Sequence, residues 1–328
     1  MISFCQFGAG RIGAIHAGNI ARHPGARLLH VVDVDAAAAS RLATQHGAQA
    51  SPRAAALADP AVDAVLIASS TDTHADLIEA AARAGKAVFC EKPIDLDSKR
   101  VAACLAVVKE TGTTLMVGFN RRFDPNFAKL HAQLRQGRIG KIEMIAITSR
   151  DPGPPPLAYI KVSGGMFRDM MIHDLDMARW LLGEEPVEVF AAASCLVDPQ
   201  IGAAGDVDSA VVTLKTASGT LCQIANSRRA SYGYDQRIEA HGEKGMLRAG
   251  NILESSVEFS GSDGIVGEKP LHFFLERYEE AYRRELDQFI AAVSDKTAPP
   301  TTGADGLRAL LLADAAVESA RSGRAVRV

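Results

Sequence analysis

Short apolar runs alternate with alanine-rich helical runs over the first 120 residues, and no other feature constrains the fold as strongly. The predicted strands lie at residues 2–8, 26–34, 63–70, 86–92 and 113–119, and the helices near 11–23, 36–46, 73–84 and 97–111. These strands lack polar alternation, so both of their faces should be buried. The pattern predicts an α/β fold in which helices cover both faces of a doubly wound parallel sheet.

The pattern changes after residue 120. The predicted elements are a helix at 125–136, a strand at 141–149, an ordered loop at the proline cluster 151–156, strands at 187–197, 209–216 and 220–227, and helices near 274–294 and 304–321. The three later strands alternate, so one face of their sheet should be buried and the other wet or covered by a partner subunit. We expect two domains, residues 1–120 and 121–328, with room for the final helix to pack back on the first.

Charge and cysteine usage narrow the class of protein. The 328 residues carry a net charge of −3 with both signs interspersed, so neither nucleic acid nor an anionic membrane is an expected partner. The five cysteines show no C-x-x-C pair or zinc spacing. No basic leader precedes the first strand, and no apolar stretch is long enough to span a bilayer. We expect a cytoplasmic protein.

A G-x-G-x-x-G motif, Gly8-Ala9-Gly10-Arg11-Ile12-Gly13, follows the first strand and opens a helix. In this context the glycines permit a tight turn, close approach to a pyrophosphate and helix–strand packing. The second strand ends in "VVDVD", where Asp33 can accept hydrogen bonds from the adenosine ribose. A carboxylate there would repel a 2′-phosphate, so the motif predicts a Rossmann domain that binds NAD rather than NADP.

Two further segments fall at the carboxyl edge of the same sheet, where ligands bind in open α/β sheets. In the first, Ser70, Thr71 and His74 are cofactor-binding candidates. Capping of the next helix by Thr73 is an equally good interpretation, and His74 taken alone is better explained as structural. The second segment, "EKP" (91–93), points Lys92 at this edge, either for a chemical role or as a solvated lysine that pairs with Glu91.

The segment "FRDMMIHDLDMARW" (167–180) puts Asp169, His173 and Asp176 on one stripe of a mostly apolar helix. A metal site is disfavoured because no cysteine or further histidine lies near in sequence, so no metal is expected. A buried structural Asp–His pair remains an alternative. We favour an acid/base pair of Asp169 and His173, with Asp176 as a supporting or interdomain partner.

The glycine motif, Glu91-Lys92-Pro93 and Asp169-x-x-x-His173 together resemble the glucose–fructose oxidoreductase/inositol dehydrogenase (GFO/IDH/MocA) family over nearly the whole chain. The segments "GFNRRFDPNF" (118–127), 149–183 and "YGYDQR" (232–237) resemble its inositol 2-dehydrogenase branch. The resemblance implies a Rossmann domain followed by an α+β domain with a large, predominantly antiparallel mixed sheet. It also implies a homotetramer formed through that sheet.

The resemblance further implies roles for individual residues in the oxidation of a polyol hydroxyl. His173 would take the proton, Asp169 would orient it, and Lys92 would hydrogen-bond the oxygen while hydride leaves for NAD. The implied cofactor-binding residues are Gly8, Gly10, Arg11, Ile12, Gly13, Asp33, Ser70, Thr71, His74, Glu91 and Lys92. The implied substrate-binding residues are Lys92, Arg121, Asp151, Asp169, His173, Tyr234 and Tyr282.

The substrate remains open between myo-inositol, scyllo-inositol and a pyranose such as glucose. Ser149 stands where some relatives have a histidine, and Arg122 can equally be a salt-bridged loop anchor. A non-catalytic NAD(H)-binding sensor is the alternative from another class. Lys92, Asp169 and His173 together argue against the sensor, because binding alone requires none of them.

Overall fold

The computed structural model describes residues 1–328, which form two compact units. Unit 1 comprises Met1–Asn120 and Ala281–Leu310, and unit 2 comprises Arg121–Glu280 and Leu311–Val328. The sequence predicted one boundary between domains, after residue 120. The compact units also have a boundary there, but residues 281–310 belong to unit 1 as well. Phe289 explains this addition, because its ring centroid lies 6.0 Å from that of Phe4 and 5.7 Å from that of Phe89.

Unit 1 contains a six-stranded parallel sheet in the order β3-β2-β1-β4-β5-β6. Its strands are β1 (Ile2–Phe7), β2 (Ala26–Val32), β3 (Gln49–Ala50), β4 (Ala64–Ile67), β5 (Ala87–Glu91) and β6 (Leu115–Gly118). The sequence pattern located five of them within three residues and missed the two-residue β3. The strand order reverses between β1 and β4, the place where doubly wound sheets bind ligands.

The first five α-helices of unit 1 are α1 (Arg11–Arg22), α2 (Ala36–Gln45), α3 (Arg53–Ala58), α4 (His74–Arg83) and α5 (Ser98–Thr111). Four of them begin and end close to the predicted positions, and the short α3 was not predicted. The side chain of Asp35 accepts hydrogen bonds from two N–H groups of the first turn of α2, and Asp97 accepts one at α5. Such aspartate caps satisfy N–H groups that the helix itself leaves unpaired.

Unit 2 contains a seven-stranded mixed sheet whose strands are, in chain order, β7 (Ile142–Arg150), β8 (Pro186–Ser194), β9 (Ser209–Thr216), β10 (Leu221–Ser227), β11 (Asp235–Gly242), β12 (Gly245–Ala249) and, numbered last in the chain, β15 (Val326–Arg327). Their spatial order is β12-β11-β7-β10-β9-β8-β15. Neighbours are antiparallel except β7 and β10, which are parallel. The predicted fold class, a Rossmann sheet plus a predominantly antiparallel mixed sheet, is therefore confirmed.

The alternation predicted for this sheet is present. In β9 the buried residues Val212 and Leu214 alternate with exposed ones. On the exposed face, Met246, His241, Met144 and Leu221 occupy successive positions across β12, β11, β7 and β10. Phe190, 44% exposed, lies on β8. One face of the sheet is therefore core, and the other presents large apolar side chains.

The helices and the remaining strands of unit 2 complete the element order. They are α6 (Pro125–Arg135), α7 (Leu157–Ser163), α8 (Ile172–Leu182), α9 (Pro199–Ala203), the hairpin β13 (Glu258–Gly261) and β14 (Gly264–Gly267), α10 (Phe274–Arg277), α11 (Glu279–Asp295) and α12 (Gly303–Ser322). Most of α11 and the first part of α12 belong to unit 1. None of the helices combines the length and the hydropathy that crossing a membrane requires.

Two expectations about helices after residue 120 are wrong in detail. The helix that carries Asp169 and His173 is not a continuous α-helix, because Met166–Met170 forms a π turn in which the N–H of Met171 donates to the carbonyl of Met166 at 2.8 Å. The predicted 3.6-residue stripe therefore holds only within α8. The helix predicted at 274–294 is split into α10 and α11. The proline cluster at 151–156 forms a loop as predicted, and it leads into helix α7, which was not predicted.

Candidate active site

The glycine loop between β1 and α1 is shaped by close backbone packing. A Cβ atom at Gly8, which has a φ of +100°, would lie 2.3 Å from the carbonyl oxygen of Ala68. A Cβ at Gly13 would lie 2.2 Å from the carbonyl oxygen of Gly8, whereas a Cβ at Gly10 would meet no atom within 4 Å. Gly8 and Gly13 therefore serve the packing of loop and helix, and Gly10 leaves open space beside the start of α1.

Gln6 holds this loop and was not singled out from the sequence. Its buried Nε2 donates to the carbonyl oxygen of Gly8 at 2.9 Å and to that of Gly13 at 2.8 Å. One side chain therefore ties both ends of the loop together. The signal was available, because a glutamine in the apolar run "ISFCQFG" needs hydrogen-bond partners once the strand is buried.

The loop fits a dinucleotide. Helix α1 begins at Arg11, and no side chain caps its first turn, so the N–H groups of Arg11, Ile12 and Gly13 can face a phosphate. Asp33, directly after β2, accepts a hydrogen bond from the N–H of Ala9 at 2.6 Å. Its carboxylate retains lone pairs that suit ribose hydroxyls. The predicted phosphate and ribose positions thus adjoin one loop.

Ser70, Thr71 and His74 follow β4 as predicted, but their surroundings differ from the expectation. Thr73 does not cap α4; its hydroxyl donates to the carbonyl oxygen of Ser70 at 2.7 Å. His74 is buried, with Nδ1 2.8 Å from the carbonyl oxygen of Pro93 and Nε2 3.1 Å from that of Ser69. Burial lowers the pKa of His74 below its usual value. These contacts describe a structural histidine that ties two turns of the sheet edge together.

Glu91 ends β5, Lys92 directly follows it, and the peptide bond between Lys92 and Pro93 is cis. Glu91 Oε1 lies 2.7 Å from Nε2 of the fully buried His16. Lys92 is half-buried. The interpretation of Glu91 as only the partner of a solvated Lys92 is therefore incomplete, because His16 of α1 also contacts Glu91.

A buried cluster surrounds this glutamate. One ligating atom each of His16, Glu91 and Glu285 lies within 4.8 Å of the others. Both carboxyl oxygens of Glu285 lack a hydrogen-bond partner. Burial, and then the charge of Glu91, raises the pKa of Glu285 well above its usual value. A neutral, protonated Glu285 therefore suits this cluster better than a metal ion would, since Nε2 of His16 already contacts Glu91.

Tyr282 was predicted to bind substrate, and in the structure it belongs to the surroundings of the same cluster. It lies on α11 and is buried. Its ring packs edge-on against His16, with the ring centroids 5.6 Å apart.

Asp169 and His173 flank the junction between the π turn and α8. Asp169 is buried, and its Oδ1 accepts a hydrogen bond from the hydroxyl of Tyr159 at 3.0 Å. Its Oδ2 lies 3.7 Å from Nη2 of Arg228. His173 is half-buried on the first turn of α8. Neither Tyr159 nor Arg228 was predicted from the sequence.

Arg121 and Arg122 are both ion-paired. Arg121 pairs with Asp174, and its Nη2 also donates to Ser149 Oγ at 3.2 Å. Arg122 forms a bidentate pair with Asp176, in which Nε lies 2.7 Å from Oδ2. The interpretation of Arg122 as a salt-bridged anchor is therefore correct. The partner of Asp176 lies within unit 2, so this pair is not an interdomain contact.

Asp151 and Tyr234 lie at one end of the neighbouring strands β7 and β11, since Asp151 follows β7 and Tyr234 precedes β11. Asp151 directly follows β7, and its Oδ2 accepts a hydrogen bond from Nη1 of Arg228 at 3.2 Å. Burial raises the pKa of Asp151 to about 6, against the opposing charges of Arg228 and Arg121. Tyr234 is buried, with its ring edge-on to that of Tyr278, and burial raises its pKa well above the usual value. Asp151 and Asp169 are thus brought to one guanidinium.

The parallel sheet, the open glycine loop and the acid after β2 define the class, an NAD-binding Rossmann-fold protein. Residues 2–119 match the NAD-binding Rossmann fold of an oxidoreductase family, and residues 127–248 match the GFO/IDH/MocA C-terminal domain. The chain belongs to the GFO/IDH/MocA family of oxidoreductases.

Relatives support this assignment over the full chain. An inositol 2-dehydrogenase of Rhizobium meliloti (strain 1021) is 54% identical over 100% of this chain and 99% of its own length. A myo-inositol 2-dehydrogenase of Thermotoga maritima is 48% identical over 98% of this chain and 97% of its own. The solved scyllo-inositol dehydrogenase of Lactobacillus casei with bound NAD(H) and scyllo-inositol has a TM-score of 0.93 at 30% identity, covering 100% of this chain and 99% of that one.

Proposed function

We propose that this chain oxidises a ring hydroxyl of myo-inositol to the ketone 2-keto-myo-inositol, with NAD as the acceptor. The similarity to inositol 2-dehydrogenases along the whole chain carries this proposal. The open space at Gly10 and the uncapped first turn of α1 support the use of a dinucleotide. Asp33 supports NAD over NADP, because its carboxylate would repel a 2′-phosphate.

Three residues divide the chemistry. NAD, when bound, accepts the hydride that leaves the reacting carbon. His173 takes the proton of the hydroxyl on that carbon, since an imidazole exchanges protons near neutral pH. Asp169 orients the imidazole and stabilises its charged form, and Lys92 hydrogen-bonds the reacting oxygen. The burial of Asp169 beside Tyr159 supports an orienting role, because a hydrogen-bonded carboxylate is held in one position.

Asp151, Arg121, Tyr234 and Tyr282 remain proposed substrate residues. Asp151, half-buried and with a pKa near 6, is the group among them whose charge can change in the working pH range. Arg121 is already paired with Asp174, so its contribution is to fix that wall of the site rather than to supply a free cation.

A second candidate is the oxidation of scyllo-inositol. The similarity to the Lactobacillus casei scyllo-inositol dehydrogenase favours it. The two isomers differ at one ring carbon, so the same residues would act on a hydroxyl of opposite orientation. A pyranose such as glucose is a third candidate substrate, and the substrate panel described below includes it.

We also propose a cytoplasmic homotetramer. The large apolar side chains exposed on the outer face of the mixed sheet, among them Met144, Phe190 and Val211, support association, because such side chains on one face often mark a contact between proteins. Val211→Asp, on this face, should yield smaller assemblies in size-exclusion chromatography with light scattering, whereas Val257→Asp, an exposed valine outside the sheet, should not. Equal masses for wild type and Val211→Asp would refute association through this face.

The deciding experiment measures NADH formation by near-ultraviolet absorbance with purified protein and NAD or NADP. The panel contains myo-inositol, scyllo-inositol, D-chiro-inositol, glucose and xylose. His173→Ala tests the base, and His272→Ala, which changes an exposed histidine, is the matched control. We expect turnover of myo-inositol with NAD and a loss of about 10³-fold in kcat for His173→Ala, in the range typical of a general base.

Other outcomes redirect the proposal. Turnover of scyllo-inositol or glucose instead of myo-inositol would keep the residue roles and change the substrate. Tight NADH binding with no turnover of any polyol would replace the enzyme with a sensor. Equal activities of His173→Ala and His272→Ala would remove His173 from the reaction.

A further inference from the structure

Arg228 follows the single parallel strand pair of the mixed sheet. Strands β7 and β10 run in the same direction, with Ser227 paired to Arg150 at their carboxyl ends. Asp151 and Arg228 are the next residues of the two strands, and the N–H of Asp151 donates to the carbonyl oxygen of Ser227 at 2.9 Å. The parallel pairing therefore brings a carboxylate and a guanidinium together at the carboxyl ends of two central strands, in a sheet that is otherwise antiparallel.

The guanidinium of Arg228 lies between two carboxylates. Its Nη1 donates to Asp151 Oδ2 at 3.2 Å, and its Nη2 lies 3.7 Å from Asp169 Oδ2. Arg228 is 3% exposed, and its Nε and Nη2 have no hydrogen-bond partner. A buried cation with unsatisfied donors is costly to the fold. Such a cost at a sheet edge beside Asp169 points to a role beyond stability.

Asp169 is contacted from both sides. Its Oδ1 accepts the hydrogen bond of Tyr159 from α7, and its Oδ2 faces Arg228 from the end of β10. Without the guanidinium, Asp151 and Asp169 would be two acids facing each other away from water. Such pairs do not both ionise readily, because like charges at short range repel.

We propose that Arg228 is a positioning residue of the reaction, which holds the carboxylates of Asp151 and Asp169 in place, so that Asp169 can orient His173. This inference rests on the proposed function. Arg228 does not contact the substrate in this role, since its Nε and Nη2 are buried and its Nη1 donates to Asp151. It acts through Asp169.

The pH dependence of the cluster follows from its members. Burial raises the pKa of Asp151 to about 6, and the charge of Arg228 opposes that rise. Besides Asp169 itself, the titratable and charged groups that face the cluster from neighbouring elements are Arg121, Tyr159 and Tyr234. Removing Arg228 takes away a cation that opposes the effect of burial on the pKa of Asp151, so the carboxyl group of Asp151 should ionise only at higher pH.

The test compares Arg228→Met and Arg228→Lys with Arg229→Met, whose side chain is exposed and donates to the carbonyl of Val197. Each variant is assayed for kcat, for KM of myo-inositol, for NADH affinity and for the pH dependence of kcat/KM. We expect Arg228→Met to lose about 100-fold in kcat, as misplacement of a reacting group does, with NADH affinity unchanged. The midpoint of the acidic limb in its pH profile of kcat/KM should rise by about one pH unit.

Arg228→Lys should keep the wild-type midpoint in the pH profile of kcat/KM, because it keeps the positive charge. It should lose about 10-fold in kcat, because an ammonium cannot hold two carboxylates in the fork geometry of a guanidinium. Wild-type kcat and midpoint in Arg228→Met would overturn the proposal, as would equal losses in Arg229→Met. If Arg228→Met does not fold, unchanged kcat in Arg228→Lys overturns it. Absence of polyol turnover by the wild type would refute the proposed function, whereas turnover with unaffected Arg228 variants refutes only the positioning role.

Discussion

The glycine loop of unit 1 is shaped by backbone contacts and one amide side chain, whereas the surroundings of α8 in unit 2 are shaped by buried ion pairs. Gly8, Gly13 and Gln6 bring loop, helix and strand together without a charge. In unit 2 the buried pairs are Arg121–Asp174, Arg122–Asp176, Arg228–Asp151 and Arg277–Asp124. In unit 1, Arg100 pairs with Asp76 and Glu79, and its side chain is partly exposed.

This difference teaches how each region tolerates change. Backbone packing fails when an atom is added, because no side chain can move aside. A buried ion pair fails when an atom is removed, because the remaining charge loses its partner away from water. The two regions should therefore respond oppositely to small substitutions, and the following measurements test that contrast in order of expected effect.

The largest effect should come from Arg277→Met. Arg277 and Asp124 are each 1% exposed, so the variant leaves a buried carboxylate unpaired. We expect the free energy of unfolding to fall by about 3–5 kcal/mol in a denaturant titration. The double variant Arg277→Met/Asp124→Asn should regain most of it, because asparagine still caps α6 without a charge.

Arg100→Met is the comparison from unit 1. Its pair is partly exposed, so the loss should stay below about 1 kcal/mol. Equal losses for Arg100→Met and Arg277→Met would remove the contrast between the regions.

Gly13→Ala should have the next largest effect. Its Cβ would lie 2.2 Å from a backbone oxygen, so we expect about 2–3 kcal/mol less stability and loss of NADH binding, followed by fluorescence. Gly10→Ala, whose Cβ meets no protein atom, should leave stability nearly unchanged and still weaken NADH binding. Unaltered NADH affinity in Gly10→Ala would count against a phosphate beside that glycine.

Glu285→Gln should change the response to pH more than stability itself. The pKa of Glu285 is raised by burial, so its favourable contribution is complete below the usual glutamate pKa and is lost as pH rises toward the folded-state value. Glutamine removes this loss, which amounts to at most about 1.4 kcal/mol per pH unit. Thermal unfolding at pH 5 and pH 8 should therefore favour the variant increasingly at about pH 8. A pH-independent difference would contradict a protonated Glu285.

Asp33→Ser should have the smallest effect, on cofactor choice. Loss of the carboxylate should lower the preference for NAD over NADP by about 10-fold in kcat/KM, or about 1.4 kcal/mol. Asp35→Ser, whose aspartate caps α2, should leave the preference unchanged. An unchanged preference in Asp33→Ser would assign the discrimination to other residues.

Unit 1 was the more predictable region for a physical reason. Its strands are buried on both faces, and its helices alternate with them, so local sequence and fold agree within three residues at most ends. The glycine motif lies within six residues of chain and carries its own geometry. The π turn at Met166–Met170 was not predictable, because its hydrogen bonds depend on packing rather than on residue period.

The sequence by itself determined the doubly wound sheet, the alternation in unit 2, the dinucleotide loop and the family, since each depends on residue type at short spacing. Only the tertiary structure decided the partners: Arg121 with Asp174, 53 residues away, Arg277 with Asp124, 153 residues away, and Arg228 with Asp151 across a parallel pair. Many charged residues could have formed these pairs. The register of strands and the burial of particular side chains select one arrangement, and neither is encoded in local spacing.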